Sequence, residues 1–153
     1  MSKVKDNYDY VLIDCMPSLG MITLNALTAA DNVIIPVQAQ YLPTKGMTQL
    51  LSTIAKVKKH ANRNLTIDDI LLTLVDGRTN PAKSTVEALR KNFGCRIRIY
   101  RTTISIAVKA VEAASKGVSI YKYEPNSPVA KACTDFTKEV LADGSATAKP
   151  SPI

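Results

Sequence analysis

The stretch Tyr8-Asp9-Tyr10-Val11-Leu12-Ile13-Asp14-Cys15-Met16-Pro17-Ser18-Leu19-Gly20 constrains the fold more than any other part of this chain. A short apolar run with β-branched members ends in a carboxylate. A Pro-Ser pair and a glycine follow, and a helical pattern then begins. Residues 10–14 therefore read as a buried strand of a parallel sheet. Proteins built on such sheets gather ligands at the carboxyl ends of their strands, which places Asp14 where a metal or phosphate site would lie. An aspartate there also serves as an ordinary helix N-cap, and the stretch by itself leaves both roles open.

Downstream, residues 18–30 suit a helix with Leu24 and Leu27 among its apolar positions, broken at Asp31-Asn32. Val33-Ile34-Ile35-Pro36-Val37 predicts a second buried strand ending at the proline. Over 44–62 the helical pattern is strongest, with Met47, Leu50, Leu51, Ile54 and Val57 on one face. Lys56, Lys58, Lys59 and Arg63 supply its solvated side and terminus. Residues 70–75 predict a third strand, 76–81 a loop of turn formers, and 82–93 a helix burying Ala82, Val86, Leu89 and Phe93. Arg96-Ile97-Arg98-Ile99 alternates as a strand with one wet face. Residues 102–109 read as a loop or helix entry, and 112–117 as a short helix stopped by Gly117. Ser127-Pro128 supplies an N-cap and a proline at the first helical position. The final helix then buries Val129, Ala132, Cys133, Phe136 and Val140. Residues 143–153, small, polar and proline-containing, are expected to be disordered. Strands alternating with helices imply βαβ units and a parallel sheet, hence an α/β fold.

A chain of 153 residues suits one domain, and no apolar run approaches the length of a membrane span. No signal peptide is recognisable. Cys15, Cys95 and Cys133 are far apart and fall into no C-x-x-C pair, as expected of reduced thiols in a cytoplasmic protein. His60 stands among lysines without metal partners. The net charge of +7 is lopsided: residues 77–122 hold ten basic side chains against two acidic, and the remainder ten against eleven. Such clustering fits either a polyanion partner, nucleic acid first, or a basic solvated face.

From Tyr8 to Leu141 the sequence resembles the ParA/Soj family of chromosome and plasmid partition ATPases. There the first strand is followed by Asp-Cys-Pro-Pro-Ser-Leu-Gly; here Met16 replaces the first proline. Val33 to Gln40 and Leu71 to Asn80 also match, the latter with Gly77 in place of alanine. Tyr100 to Lys109 aligns with a stretch that reads Ile-Pro-Arg-Asn-Val-Arg in the family. Ser105, Ile106 and Ala107 depart from its Pro-Arg-Asn, a loop near the adenine base, and Glu112 to Gly117 recovers the pattern.

The resemblance implies a three-layer P-loop NTPase-like parallel sheet with helices on both faces, over a partial domain at 1–142. Asp14 would hold Mg²⁺ through water in the intact protein, and Cys15, Pro17, Ser18 and Gly20 would form switch II. Gln38, Gln40 and Ser105 would lie near the nucleotide or the partner subunit, with ordinary strand-end polar residues the competing reading for the glutamines. Arg78 and Lys109 would belong to a nonspecific double-stranded DNA surface. Lysine keeps the charge of the family's second arginine there and loses its fork, which matters little for phosphate neutralisation.

The family's Gly-Lys phosphate loop and catalytic aspartate both precede the matched region. The six glycines here are scattered, and no G-x-x-x-x-G-K-[ST] occurs. The expectation is therefore a sheet without its N-terminal strands and phosphate loop, no catalytic residue, no ATP hydrolysis by this chain alone, and no ATP or Mg²⁺ bound tightly. The implied setting is the cytoplasm, on the nucleoid, with a homodimer and a ParB-like partner and no membrane. Residues 10–14, short of a neighbouring strand, would recruit another chain or be covered by a rearranged N-terminus. A non-catalytic DNA- or protein-interaction module of the same fold is the alternative. Continuation of the coding sequence upstream into a Gly-Lys loop would separate the two.

A MinD-like membrane ATPase would carry a basic amphipathic C-terminal helix, and a nitrogenase iron-protein relative would need cluster cysteines; neither pattern occurs.

Overall fold

Helix α1 spans Met21–Ala29, starting later than the apolar pattern suggests because Gly20 takes the N-cap position. A glycine has no side chain with which to cap. The turn is held instead by the Thr23 hydroxyl donating to the Ser18 carbonyl at 2.6 Å and by Leu24 N–H donating to Gly20 O at 3.1 Å. The computed structural model describes residues 7–16, 18–38, 44–76, 84–85, 87–89, 91 and 97–147. They divide into two compact units, the first taking the chain up to Ile34 and again from Pro43 to Asp68, the second Ile35 to Leu42 and Asp69 onward.

In the first unit α1 packs against α2, Thr44–His60. Thr23 and Leu27 face inward from α1, and Met47, Ile54 and Val57 from α2, so the predicted stripe of α2 is its buried face. Beyond α2 the Asn62 amide donates to the carbonyls of Leu27 (3.2 Å) and Ala30 (2.6 Å). It thereby supplies partners to carbonyls that a helix end leaves without intrahelical ones. Leu65 is completely buried.

Strands β1 (Asn32–Gln38) and β2 (Thr66–Val75) lie side by side and run in the same direction. Thr66 N–H donates to Asp31 O at one end, and the Thr73 hydroxyl to Val37 O at the other. β1 continues through Pro36 instead of ending there. It is an outer strand of the sheet among the described residues, where a missing donor is tolerated.

β3, Arg98–Ser105, pairs parallel with β2 on its other side, giving the order β1-β2-β3. β2, the central strand, buries four residues in succession from Asp69 to Leu72, as a strand covered on both faces must. Asp69 and Arg98 are direct register partners, and Arg98 Nε lies 3.2 Å from the buried Asp69 carboxylate. The ladder is irregular. From Ile70 to Leu72 the central strand advances two residues while β3 advances four, from Ile99 to Thr103, so β3 bulges. A second shift falls between Leu72 and Val75, where Leu74 adopts a left-handed φ of 52°.

The remaining described elements belong to the second unit. Residues 84–85, 87–89 and 91 are helical, and Leu89 is buried. α3 spans Val108–Ser115 and ends in a Schellman turn, with Val118 N–H donating to Ala113 O and Gly117 N–H to Ala114 O. This turn requires the positive φ of 63° at Gly117, where glycine is unstrained. Ser119 caps the four-residue α4, Ile120–Tyr123. α5, Pro128–Thr147, is capped by Ser127, whose hydroxyl accepts from Ala130 N–H and donates to Glu124 O. α5 packs on β3, with Phe136 edge-on to Tyr100 at 5.0 Å between ring centroids.

Four expectations change. Residues 10–14 form no strand: they run without regular structure, and Leu12 is 92% exposed. A strand exists only through its ladder, and no described segment pairs with them. β3 runs through Ser105 where a loop or helix entry over 102–109 was expected, and only Val108 and Lys109 of that stretch enter the helix. Within that stretch Thr102, Thr103 and Ile104 are good strand formers. α3 consequently begins before the predicted 112. Finally, helix α5 reaches Thr147, so 143–147 are helical instead of disordered. The expected tail beyond 147, Cys95, and Ala82, Val86 and Phe93 lie outside the described residues.

Candidate functional site

In the first unit, Asp14 is exposed at the end of the irregular 10–14 segment and has no hydrogen bond or ion pair among the described residues. Cys15 is half-buried, its thiol directed at Ile13 O at a long 3.9 Å, and is a free cysteine, as is Cys133. Ser18 is exposed and lends its carbonyl to Thr23; its N–H donates to Met16 O at 2.7 Å. Gly20 has ordinary backbone angles, and a Cβ there would meet only Ser18 Oγ, at a comfortable 3.8 Å. Its presence is therefore not demanded by local packing. Pro17 lies outside the described residues.

In the second unit the parallel strands bring Gln38, Val75-Asp76 and Ser105 to one end of the sheet, the carboxyl end where α/β folds assemble sites. Ile106 N–H donates to Val75 O at 3.0 Å and ties the ends of β2 and β3 together. Gln38 and Ser105 share this end but stand on opposite sides of β2, roughly 10 Å apart by the usual strand spacing. Both are exposed. Gln40 and Arg78 fall outside the described residues.

Lys109 follows at once, in the first turn of α3. The N-cap residue, Ala107, offers no side chain to the first N–H groups. A cation and an uncapped helix start both favour an approaching anion. Lys109 is exposed, and its ammonium donates to Glu112 Oε2 at 3.0 Å, one helical turn on. The Tyr123 hydroxyl donates to the same oxygen at 2.8 Å. Lys116 in turn donates to the Tyr123 oxygen at 3.2 Å and stands 4.7 Å from the ring centroid, while Lys109 stands 5.8 Å from it. The hydrogen bond and charge of Glu112 raise the Lys109 pKa, and the hydrogen bonds from Lys109 and Tyr123 lower that of Glu112. Both ions are thus held charged at neutral pH. This four-residue node escaped the sequence reading. The Lys109–Glu112 spacing is meaningful only on a helix, and α3 was expected to start after Lys109.

A second carboxylate works behind the sheet's edge. Glu139 of α5 accepts from the backbone N–H groups of Arg101 (2.8 Å) and Thr102 (3.0 Å), in the bulge of β3. Burial pushes its pKa up, but the two N–H donors, the Thr102 hydroxyl and the charge of Arg101 together outweigh this and leave it lowered.

Among the described residues no three His, Cys, Asp or Glu side chains cluster as metal ligands, and no helix is long and apolar enough to cross a membrane.

A family model described as an AAA domain matches residues 1–67. The sporulation initiation inhibitor protein Soj of Bacillus subtilis is 46% identical over 144 residues, covering 94% of this chain and 56% of Soj. The chromosome-partitioning ATPase Soj of Treponema pallidum is 39% identical over 142 residues, covering 93% and 55%. The chromosome partitioning protein ParA of Myxococcus xanthus is 41% identical over 129 residues, covering 84% and 44%. The chain thus spans about half the length of the curated relatives it matches. Among solved structures, cobyrinic acid a,c-diamide synthase from Mycobacterium smegmatis, with ADP and magnesium bound, superposes with a TM-score of 0.56 at 40% identity. The match covers 59% of this chain and 37% of the synthase. That likeness sets the fold in the three-layer α/β, P-loop NTPase-like class. With its sequence shared along nearly all its length with Soj and ParA proteins, the chain belongs to the ParA/Soj family.

Proposed function

We propose that this chain acts in DNA partitioning as part of a ParA-type ATPase and meets duplex DNA, without sequence preference, through a basic face that includes Arg78 and Lys109. The observation that carries the reading is the position of Lys109. It is exposed on an uncapped helix start, inside the segment that holds the whole basic surplus. Its pairing with Glu112 does not withdraw it from a polyanion. An exposed ion pair contributes little, whereas a phosphate contact gains from counterion release. Association with the nucleoid, a homodimer and a ParB-like partner belong to the same reading.

Asp14 fits one part of a nucleotide site. Mg²⁺ is usually held by one or two carboxylates, phosphates and retained waters, and an exposed, unpaired carboxylate can serve it through water. Magnesium would neutralise the phosphate charge; Asp14 would orient the ion's water, with Ser18 and Gly20 in the turn beside it. The scattered glycines give no phosphate cradle, so these 153 residues do not hydrolyse ATP by themselves. Micromolar ATP affinity by calorimetry with magnesium would overturn that statement.

The DNA reading is tested by anisotropy with random-sequence duplexes over a range of salt. Arg78→Glu and Lys109→Glu are each expected to weaken binding equally on all sequences and to flatten the log–log salt slope by about one. Unchanged binding in both variants would refute the DNA face. It would leave the fold as a protein-interaction module.

A further inference from the structure

Two lysines share one carboxylate at the α3–α4 corner. Glu112 Oε2 accepts from Lys109 and from the Tyr123 hydroxyl, and Lys116 donates to the same tyrosine oxygen. The tyrosine ring lies within cation–π range of both ammonium groups. Lys116 also lowers the Glu112 pKa through its charge, although the hydrogen bonds from Lys109 and Tyr123 matter more. The charges of the node sum to a single positive charge, with Glu112 bonded directly to Lys109 and linked to Lys116 through the Tyr123 hydroxyl. A phosphate brought to Lys109 meets Glu112 as a repelling charge and as the partner already held by that ammonium, and one brought to Lys116 feels the same charge from farther away.

We propose that Glu112 competes with phosphate for Lys109 and Lys116, so that this carboxylate sets how tightly the α3–α4 face holds a nucleic-acid backbone. The inference rests on the DNA reading above and adds its control. Tyr123 is the positioning residue. Its hydroxyl fixes the carboxylate against α4, and its ring keeps Lys116 near the pair. When DNA arrives, Lys109 exchanges one exposed partner for another, and the displaced carboxylate keeps its hydrogen bond from Tyr123. A surface built this way binds weakly, and anything that draws Glu112 aside tightens it.

The test is salt-dependent duplex binding by the wild-type chain and by Glu112→Gln, Lys109→Met, the double variant and Arg78→Glu. Glutamine keeps an acceptor for Tyr123 and loses only the charge. Glu112→Gln is expected to bind about three- to tenfold more tightly at low salt, the scale of one unit charge a few ångströms away in a watery setting. Its salt slope is expected to steepen by about one. The gain is expected to disappear in the Lys109→Met background, which a purely structural role for Glu112 would not produce. Glu112→Ala, with matched thermal melts, is expected to repeat the gain. Equal or weaker binding by Glu112→Gln, with Arg78→Glu still weakening binding, overturns this proposal alone. A full gain persisting without Lys109 overturns it as well. Absence of duplex binding by both wild type and Glu112→Gln overturns this proposal and the DNA reading together.

Discussion

Replacing Glu139 by alanine removes the acceptor for two adjacent backbone donors, Arg101 N–H at 2.8 Å and Thr102 N–H at 3.0 Å. Those donors lie in the bulge of β3, where they are diverted from the ladder with β2. Hydrogen bonds to a charged group contribute about 1.5–3 kcal/mol when sheltered. Here the carboxylate is only half-buried and the Arg101 bond is exposed, so water replaces part of the loss. An expected cost of about 1–2 kcal/mol follows for Glu139→Ala, and less for Glu139→Gln, which keeps one oxygen.

The effect carries a pH signature. Burial raises the native pKa of Glu139, but the N–H donors, the Thr102 hydroxyl and the Arg101 charge together leave it lowered. A lowered native pKa stabilises the fold above the unfolded value of about 4.3, and the contribution fades as pH falls through the native value. Urea unfolding at pH 7 and at pH 3 reads both. With a typical urea slope of about 1–3 kcal/mol/M, the alanine midpoint at pH 7 is expected to fall by roughly 0.5–1 M. The difference between wild type and Glu139→Gln is expected to shrink at pH 3. Unaltered midpoints at pH 7, or an equal difference at both pH values, would refute the assignment of Glu139 as partner of the bulge.

Three further substitutions probe other parts of the chain. Asp69 is 3% exposed and faces Arg98 Nε at 3.2 Å, so Asp69→Asn is expected to cost about 2 kcal/mol, below the usual figure for a buried pair because the arginine is solvated. Arg98→Met is expected to cost at least as much, by leaving a buried charge less well compensated, and neutral denaturation midpoints for both would contradict this. Leu12→Lys is expected to leave the thermal midpoint nearly unchanged, because the side chain is already in water, while abolishing self-association through residues 8–14. Sedimentation showing the wild-type chain monomeric at every concentration would remove that role for the segment.

What could be read from the sequence was local. The stripe of Met47, Ile54 and Val57, the buried run Ile70-Leu71-Leu72 and the Ser127-Pro128 cap all act within a few residues of themselves, and each is found where the pattern put it. Residues 10–14 have every property of a strand except a neighbour, and a neighbour is not written in a strand's own residues. Glu139 lies 38 positions from Arg101, and nothing near it marks it as the partner of a bulge. The node around Lys109 was hidden for a narrower reason. With α3 expected to begin at 112, Lys109 and Glu112 belonged to different elements, and Tyr123 had no reason to be near either. Lys109, Gln38 and Ser105 were singled out through the family pattern, and Gln38 and Ser105 lie at the carboxyl ends of their strands.

The bulge also decides where the sheet can grow. An outer strand with free N–H groups is a template on which another chain can add. At β3, two consecutive donors are already committed to a carboxylate from the chain's own last helix, and the bulge breaks the straight edge that a new strand would need. Among the described residues no strand lies beyond β1, and no side chain is recorded as bonding that edge as Glu139 bonds β3. The sheet is therefore one-sided as a building unit, finished at β3 and extensible at β1, so that any strand supplied by more of the polypeptide or by a second copy has one side on which to join.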